Sequence, residues 1–364
     1  MKPPGKHLNR RDFLKSLGLG AAGLSLAGKD ILSSPHSAGR LVQGAQQVPC
    51  PPAPAYGMVV PPARVGLVKG SDRRRVVYQA LKLIEDEVLS SIGDRRIMIK
   101  PNVVLADKPL TVLHVDAMRA ILDFLTPHYK KRILIGEAGV HNTCLGFQNA
   151  GYHALEKEYN VQLLDLNLEP FQYRYVLDKD NKPIPIRIIS TYLDPDLYLI
   201  SAAPMKTHNI VLTTLSLKNV LLGCPVNDYK NNDKGLMHTD LKTTANDICH
   251  FNMFHLSREV FPDLAVIDGF EAMEGKGPAW GTLFEARVAL AGVDALAADT
   301  LATHVMGFEP KKVNYLTSMA EAGMGQGDLS KIQTLGTPLT ECLYHFKVDE
   351  KTAEIYGLGS DRVI

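Results

Sequence analysis

The sequence predicts an α/β fold, with a largely parallel sheet, helices on both of its faces and a small inserted β lobe. Short runs rich in Val, Ile and Leu alternate with longer segments whose apolar residues recur at helical spacing. This alternation is typical of parallel strands joined by helices that cover the two faces of one sheet. The length of 364 residues is enough for one large domain or two joined lobes.

The first half of the body keeps the alternation of strands and helices. The strands are predicted at residues 64–68, 96–100, 132–136 and 161–164. The helices are predicted at residues 74–89, 115–125 and 145–159. Gly146 and Gly151 interrupt the apolar pattern of the last of these helices.

The pattern changes after residue 170. Two β segments, 173–177 and 184–191, flank turn-forming residues 178–181 and predict a hairpin in an inserted lobe at about 170–192. The alternation then returns. The later strands are predicted at residues 197–201, 264–267 and 286–291, and the later helices at 295–306 and 313–322.

The chain begins with a pattern typical of a twin-arginine export signal. Arg10 and Arg11 lie in a basic segment, and an apolar run of about 12 residues and then small residues follow it. That run is too short to form a stable membrane span. We therefore predict a signal peptide at residues 1–27, export of the folded protein by the twin-arginine translocation machinery, and a periplasmic location.

The remaining chain divides by composition. Residues 28–62 are rich in Pro, Ser, Gly and Gln and predict an arm or linker, residues 63–340 carry the α/β domain, and residues 341–364 form a C-terminal extension. Removing residues 1–27 removes five basic residues and one acidic residue, so the formal net charge changes from +1 to −3. Without a basic excess, nucleic-acid binding is not expected.

The cysteines do not form a local iron–sulfur or zinc motif. The five cysteines, none within three residues of another, are Cys50, Cys144, Cys224, Cys249 and Cys342. We expect mostly buried structural thiols, with a disulfide as the alternative. The sequence therefore identifies no cofactor.

Charged and polar residues gather where the predicted strands end. In an open parallel sheet, ligands bind beyond the carboxyl ends of the strands. The residues at these ends are Lys100, Asn102, Lys206, His208, Asp268 and Glu274. We expect the lysines to hold an anion and His208 to donate or accept a proton. Asp268 or Glu274 is expected to orient His208 or to act as the opposing base.

Two further segments extend this candidate anion site. A helix from Thr214 onward would place Lys218 one turn later on the same face, and hydroxyl and ammonium groups suit a phosphate or carboxylate. Glycines allow backbone N–H groups to approach the same anion. The ligand-binding residues expected from these segments are Thr213, Lys218, Asn219, Gly275 and Gly277. The alternatives are a capped surface helix and a flexible loop.

A metal site is an alternative to an anion site for residues of these types. The imidazole and carboxylate groups that could bind zinc or iron belong to His208, His238, Asp268 and Glu274. Their spacing does not require such a site, and scattered surface or capping histidines are the simpler interpretation.

The order of these motifs resembles the family called domain of unknown function 362. The matching residues are Lys100-Pro101-Asn102, Lys206-Thr207-His208, Lys218-Asn219, Asp268-Gly269 and Met273–Pro278. The resemblance covers about residues 95–325 and implies a shared core whose site is formed by the Lys, Asn and His residues. Many members append a ferredoxin-like segment with clustered cysteines. This chain lacks that segment, so the resemblance does not imply a cluster here.

Three functions remain open, and the sequence does not decide whether the chain is an enzyme. The first is a periplasmic protein that binds or converts a small anionic ligand. The second is a non-catalytic accessory subunit of a periplasmic redox or cofactor-maturation complex, with a redox protein as its partner. The third is a metalloprotein with His and carboxylate ligands.

Overall fold

The computed structural model describes residues 60–139, 142–228, 232–238 and 245–364. In these ranges the chain has a central, mostly parallel sheet with helices on both faces and a small antiparallel hairpin, which confirms the predicted fold class. The predicted signal peptide and residues 28–59 of the predicted arm lie outside the described residues.

The strands form one large sheet and one hairpin. They are β1 (Ala63–Lys69), β2 (Arg96–Pro101), β3 (Ile133–Glu137), β4 (Val161–Asp165), β5 (Phe171–Leu177), β6 (Pro183–Ile189), β7 (Leu197–His208), β8 (Leu212–Thr214), β9 (Leu264–Glu274), β10 (Thr282–Phe284), β11 (Val288–Gly292) and β12 (Ile332–Gly336). In the described ranges the large sheet has the order β12-β1-β11-β9-β7-β2-β3-β4, and β5 pairs with β6. The strands from β9 to β4 run parallel, while β11 is antiparallel to both of its neighbours.

Helices cover both faces of the large sheet. They are α1 (Arg73–Lys82), α2 (Glu85–Ile92), α3 (Val115–Leu125), α4 (Thr143–Asn149), α5 (Leu155–Glu158), α6 (Ser216–Leu221), α7 (Asp233–His238), α8 (Ala245–Leu256), α9 (Ala295–Val305), α10 (Asn314–Glu321) and α11 (Glu350–Tyr356). The apolar stripes of α1, α2 and α3 form the core on one face. The core on the other face includes α6, α8, α9 and α10.

Two predicted helices are interrupted in the structure. The segment predicted at 74–89 forms both α1 and α2, because Ile84 leaves the helical conformation, with φ at −123°, while its side chain stays buried. The segment predicted at 145–159 breaks at Gly151, whose φ of +75° is readily adopted by glycine. Glycine therefore ends this helix where the sequence pattern was already irregular.

Strands β7 and β9 extend well beyond their predicted ends at residues 201 and 267. The added length of β7 pairs with β8, and that of β9 pairs with β10, so both extensions have hydrogen-bonding partners. As a result Lys206 and His208 belong to a strand instead of a loop. The short antiparallel partners fix the direction in which these side chains point.

The C-terminal residues 341–364 pack into the core of the body. Phe346 and Val348 are fully buried, and Val348 forms β-bridges to Gly275 and Val363. In the described ranges, no helix has the length and apolar character needed to cross a bilayer.

Candidate functional site

Four lysines with buried side chains form what we call the lysine cluster: Lys100, Lys206, Lys218 and Lys234. Each exposes 9% or less of its surface. Burial of an ammonium group is unfavourable unless an anion or several acceptors compensate it. Among the described residues, Glu137 is the carboxylate that contacts the cluster, through Lys100. The cluster therefore contains more lysine amines than carboxylate partners among the described residues.

Lys100 is compensated within the protein. Its Nζ lies 2.7 Å from Oε1 of Glu137 and 3.0 Å from Oδ1 of Asn219, and it also donates to the carbonyl oxygen of Pro101 at 2.9 Å. Gly223 makes room for this side chain, because a Cβ at that position would lie 2.2 Å from Cε of Lys100. Lys100 therefore has a structural role beside the site.

Two asparagines connect the lysines across the sheet. Asn102 accepts a hydrogen bond from Lys206 Nζ at 2.6 Å and donates to Oδ1 of Asn219 at 3.0 Å. Asn219 in turn donates to the carbonyl of Lys100 at 3.1 Å and to Oγ of Ser201 at 3.0 Å. Both amides are thus used to position the lysines, and the motif residues Lys100, Asn102, Lys206 and Asn219 lie together as the sequence predicts.

Lys218 differs from the other lysines in having no hydrogen-bond partner among the described residues. Burial lowers its pKa to about 8, and the neighbouring charges of Lys234 and Lys100 act in the same direction, against an opposing effect of Cys249. Burial likewise lowers the pKa of Lys234 to about 8, but Lys234 donates to the carbonyl of Ala138. The amine of Lys218 is therefore the one left for a ligand.

A buried hydroxyl lies on the same face of the β7–β8 ribbon as Lys206. Thr214 is the direct cross-strand partner of Lys206, and its Oγ1 has no hydrogen-bond partner in the described structure. Thr213 is paired with Thr207 and points to the opposite face of the ribbon. The predicted helix from Thr214 onward is wrong, because Thr214 belongs to β8 and α6 begins at Ser216.

The start of α6 is fixed by a buried carboxylate. Asp299, on α9, accepts hydrogen bonds from the backbone N–H groups of Ser216 and Leu217, each at 2.9 Å. Burial raises the pKa of Asp299 to about 7, although these two hydrogen bonds favour the charged form. Asp299 therefore anchors the helix that carries Lys218 and Asn219.

Two histidine rings stack beside the cluster. The rings of His208 and His238 have centroids 6.1 Å apart and an interplanar angle of 29°. Nδ1 of His208 accepts from the N–H groups of Ile210 and Val211, so its proton lies on Nε2. Nδ1 of His238 donates to the carbonyl of Lys234 at 2.8 Å, so the lone pair of the ring lies on Nε2, which has no partner among the described residues.

The two histidines are neutral at pH 7. Burial and the charge of Lys218 hold the pKa of His208 well below its ordinary value, and they lower the pKa of His238 to about 4. His208 therefore offers a hydrogen-bond donor, and His238 offers a base. The proton-transfer role predicted for His208 stays a prediction, and the second ring, His238, was considered in the sequence analysis only as a metal ligand.

The structure does not bring Asp268 to the lysine cluster. Its side chain lies on the face of the sheet that α1 and α3 cover, with Oδ2 3.2 Å from Nε of Arg73 and Oδ1 accepting from the N–H of Phe270. Burial raises the pKa of Asp268, and the charge of Arg73 opposes this effect. The helix α6 that carries Lys218 packs on the other face.

The glycine-rich loop has its own structural contacts. Glu274 accepts a hydrogen bond from the N–H of Lys347 at 2.9 Å. The N–H of Gly275 donates to the carbonyl of Lys347, and that of Gly277 donates to the carbonyl of Gly275. A Cβ at Gly277 would lie 2.0 Å from the carbonyl oxygen of Thr207, so the loop packs directly on the end of β7. These N–H groups are occupied and do not face a free site.

The described residues contain no group of three or more His, Cys, Asp or Glu side chains that could hold a metal ion. His208 and His238 each use Nδ1 within the fold, and Asp268 lies elsewhere. His250 is also structural: its Nδ1 accepts from the N–H of Tyr315 and its Nε2 contacts the hydroxyl of Tyr356 at 2.9 Å.

Three residues of this site were not singled out as site residues from the sequence. Glu137 directly follows the third predicted strand, and its proximity to Lys100 depends on the sheet order. Lys234 lies four residues before His238 on one short helix, a spacing that places both on one face. Asp299 is a lone acid in the apolar helix α9, which is a signal for a buried functional or capping carboxylate.

Comparison with known proteins places the chain in a family. Residues 97–304 match the family described as "Domain of unknown function (DUF362)". A thylakoid-associated protein of Synechocystis sp. is 25% identical over 276 residues, which cover 75% of this chain and 81% of that protein. A solved structure from Thermotoga maritima aligns with a TM-score of 0.37 and 12% identity over 71% of this chain, and the aligned part spans 60% of that protein. Since the family match covers more than half of the chain, the protein belongs to the domain of unknown function 362 family.

Proposed function

We propose that the protein binds a small anionic molecule at the lysine cluster. The observation that carries this proposal is the unpartnered amine of Lys218 among three other buried lysines, with Glu137 as their one carboxylate contact in the described ranges. An anion placed beside Lys218 would compensate the buried positive charge and raise the pKa of the lysine towards its ordinary value. Binding of the anion would then offset the free energy that desolvation of the charged lysines costs.

The groups that would contact the anion are of one chemical kind. Lys218 supplies an ammonium group, Thr214 supplies an unpartnered hydroxyl, and the Nε2–H of His208 supplies a further donor. Donors of this type suit a carboxylate or phosphate. His238 adds a neutral base beside them, so a proton on the bound ligand has an acceptor.

Binding is tested by titration calorimetry of the protein with oxalate and with phosphate. We expect Lys218→Met to weaken the binding of the preferred anion by about 10- to 100-fold, because a hydrogen bond to a charged group is lost. Thr214→Val should weaken it less. The control is Lys276→Met, which removes an exposed lysine from the glycine-rich loop. Equal affinities of the wild type and Lys218→Met would contradict the proposal.

The place of action is proposed to be the periplasm. The support is the basic segment with Arg10 and Arg11, followed by a short apolar run. Replacement of both arginines by lysine should retain the protein in the cytoplasmic fraction, whereas the wild type should be recovered from the periplasm with its first 27 residues removed. Equal distribution of the two proteins would contradict this proposal.

A role as an accessory subunit is the second candidate, and one surface favours it. Phe171, Tyr173 and Tyr175 alternate along β5 on one side of the hairpin, and the two tyrosines expose 61% and 63% of their surfaces. Exposed aromatic side chains are enriched where proteins bind one another. The partner class expected from the sequence is a periplasmic redox protein. Recovery of a partner from periplasm by the wild type but not by a Tyr173→Ser/Tyr175→Ser variant would support this role, and equal recovery would exclude the hairpin.

A further inference from the structure

We propose that Lys218 forms a Schiff base with a ligand that carries a carbonyl group next to a carboxylate, that is, a 2-oxo acid. This inference rests on the proposed anion site and specifies the chemistry of its ligand. It assigns a covalent role to one lysine of the cluster and non-covalent roles to the other three.

Comparison of the four lysines identifies Lys218. Lys100 donates to Glu137 and Asn219, Lys206 donates to Asn102 and the carbonyl of Thr111, and Lys234 donates to a backbone carbonyl. Among the described residues, Lys218 alone in this cluster has a nitrogen with no acceptor. Its lone pair becomes available to a carbonyl carbon once the proton is lost, without any native hydrogen bond being broken.

The surroundings of Lys218 favour its uncharged, nucleophilic form. The side chain is nine-tenths buried, and neighbouring lysines add positive charge. Desolvation and a nearby cation are the two effects that activate lysines for attack on carbonyl groups. With a pKa of about 8, a useful fraction of Lys218 is uncharged near neutral pH.

The neighbouring groups can handle the protons of imine formation. The neutral amine of Lys218 attacks the carbonyl carbon, and the carbonyl oxygen becomes the hydroxyl of a carbinolamine. His238 Nε2 relays one of the two amine protons to the carbonyl oxygen to form this hydroxyl, and then relays the second nitrogen proton to the hydroxyl, which leaves as water while the C=N bond forms. In this step the Nε2–H of His208 would donate a hydrogen bond to the ligand oxygen, and its own proton is not consumed.

The carboxylate of the ligand has separate partners. Lys206 and Thr214 are opposite one another on β7 and β8, and the hydroxyl of Thr214 is unpartnered. A carboxylate directly attached to the carbonyl carbon would bind these groups while the carbonyl faces Lys218. A simple ketone would lack this second contact, which is why the inference is specific to an oxo acid.

The experiment uses pyruvate as the probe with sodium cyanoborohydride, which reduces the imine to a stable secondary amine. Peptide mass spectrometry then locates the reduced pyruvate adduct. We expect it on Lys218, with suppression by excess oxalate. The Lys218→Arg variant should lose the adduct. The control is Lys276→Arg, which changes an exposed lysine outside the lysine cluster; this variant should keep the adduct.

Acetone is the neutral comparison probe. After each rate is normalised to that with a free lysine derivative, pyruvate should label Lys218 about 10- to 100-fold faster than acetone, because only pyruvate has a carboxylate to bind. Equal normalised rates would overturn the assignment to an oxo acid. If oxalate binds by calorimetry but pyruvate leaves Lys218 unlabelled, the Schiff base is wrong and the anion site stands. If neither oxalate nor pyruvate is bound, both proposals are wrong.

Discussion

Lys100 and Glu137 form a fully buried ion pair between neighbouring strands, with 2.7 Å between Nζ and Oε1. Glu137 also accepts hydrogen bonds from the N–H groups of Val103 and Ala138 at 2.8 Å, so its charge is well compensated. The pair holds Lys100 in place beneath Asn219. It compensates one positive charge of the cluster, and Lys218 is the lysine left without a hydrogen-bond partner among the described residues.

Loss of this carboxylate should destabilise the protein strongly. Glu137→Gln leaves Lys100 buried without a counter-charge, and we expect a loss of about 3–5 kcal/mol in the free energy of unfolding. The double variant Lys100→Met/Glu137→Gln removes both charges and should recover part of this loss. Urea unfolding of the wild type, the two single variants and the double variant measures the effect. If the losses of Glu137→Gln and Lys100→Met simply add in the double variant, the two residues do not act as a pair.

Removal of the anchor of α6 should cost more than removal of an ordinary helix cap. Asp299→Ala leaves two buried backbone N–H groups without an acceptor, and we expect a loss of about 2–4 kcal/mol. The comparison is Asp72→Ala, an exposed cap of α1, with an expected loss of about 1 kcal/mol. Similar losses for the two variants in thermal or urea unfolding would show that Asp299 stabilises the protein no more than an exposed helix cap does.

The stability contribution of His250 should depend on pH. Burial lowers its pKa to about 3 in the folded protein, from an ordinary value of 6.5. Between these values the unfolded chain binds a proton that the folded protein does not, so stability falls as the pH falls below 6.5. The stability advantage of the wild type over His250→Asn should therefore shrink by about 1.4 kcal/mol per pH unit below 6.5. An advantage that stays constant from pH 7 to pH 5 would contradict the assigned pKa.

Anion affinity should decrease in alkaline solution. Lys218 has a pKa of about 8 in the free protein, and an anion binds its protonated form. Above pH 8, the affinity for oxalate should fall by up to about 10-fold per pH unit for each lysine that must be protonated. Lys218→Arg keeps its charge and should show a shallower decline. A flat or rising affinity between pH 7 and pH 9.5 would exclude Lys218 as a ligand contact.

The motif residues at strand ends could be predicted from the sequence, but their orientation could not. The parallel alternation correctly placed Lys100, Asn102 and Lys206 at neighbouring strand ends, where the structure joins them through hydrogen bonds. Whether a residue faces one side of the sheet or the other depends on register, and the pairing of β7 with β9 shifts between Pro204 and Lys206. Asp268 was therefore predicted at a strand end, whereas it lies within β9 and faces away from the lysine cluster.

Contacts between residues far apart in the sequence could not be predicted from local sequence patterns either. Glu137 and Lys100 are 37 residues apart, and Asp299 caps a helix 83 residues earlier in the chain. The true start of α6 also depended on a distant partner, because Thr214 is held in a strand by its pairing with β7. Apolar periodicity predicts where elements form, whereas these contacts require the packed sheet.

The position of a bound anion would show whether the buried lysines form an anion site. Crystals of the protein grown with selenate, collected at the selenium absorption edge, would locate the anion by its anomalous scattering. We expect a selenate within hydrogen-bonding distance of Lys218 Nζ and Thr214 Oγ1, and its loss in crystals of Lys218→Met. Selenate bound only at exposed surface residues, with the lysine cluster empty, would contradict the claim that these buried lysines form an anion site.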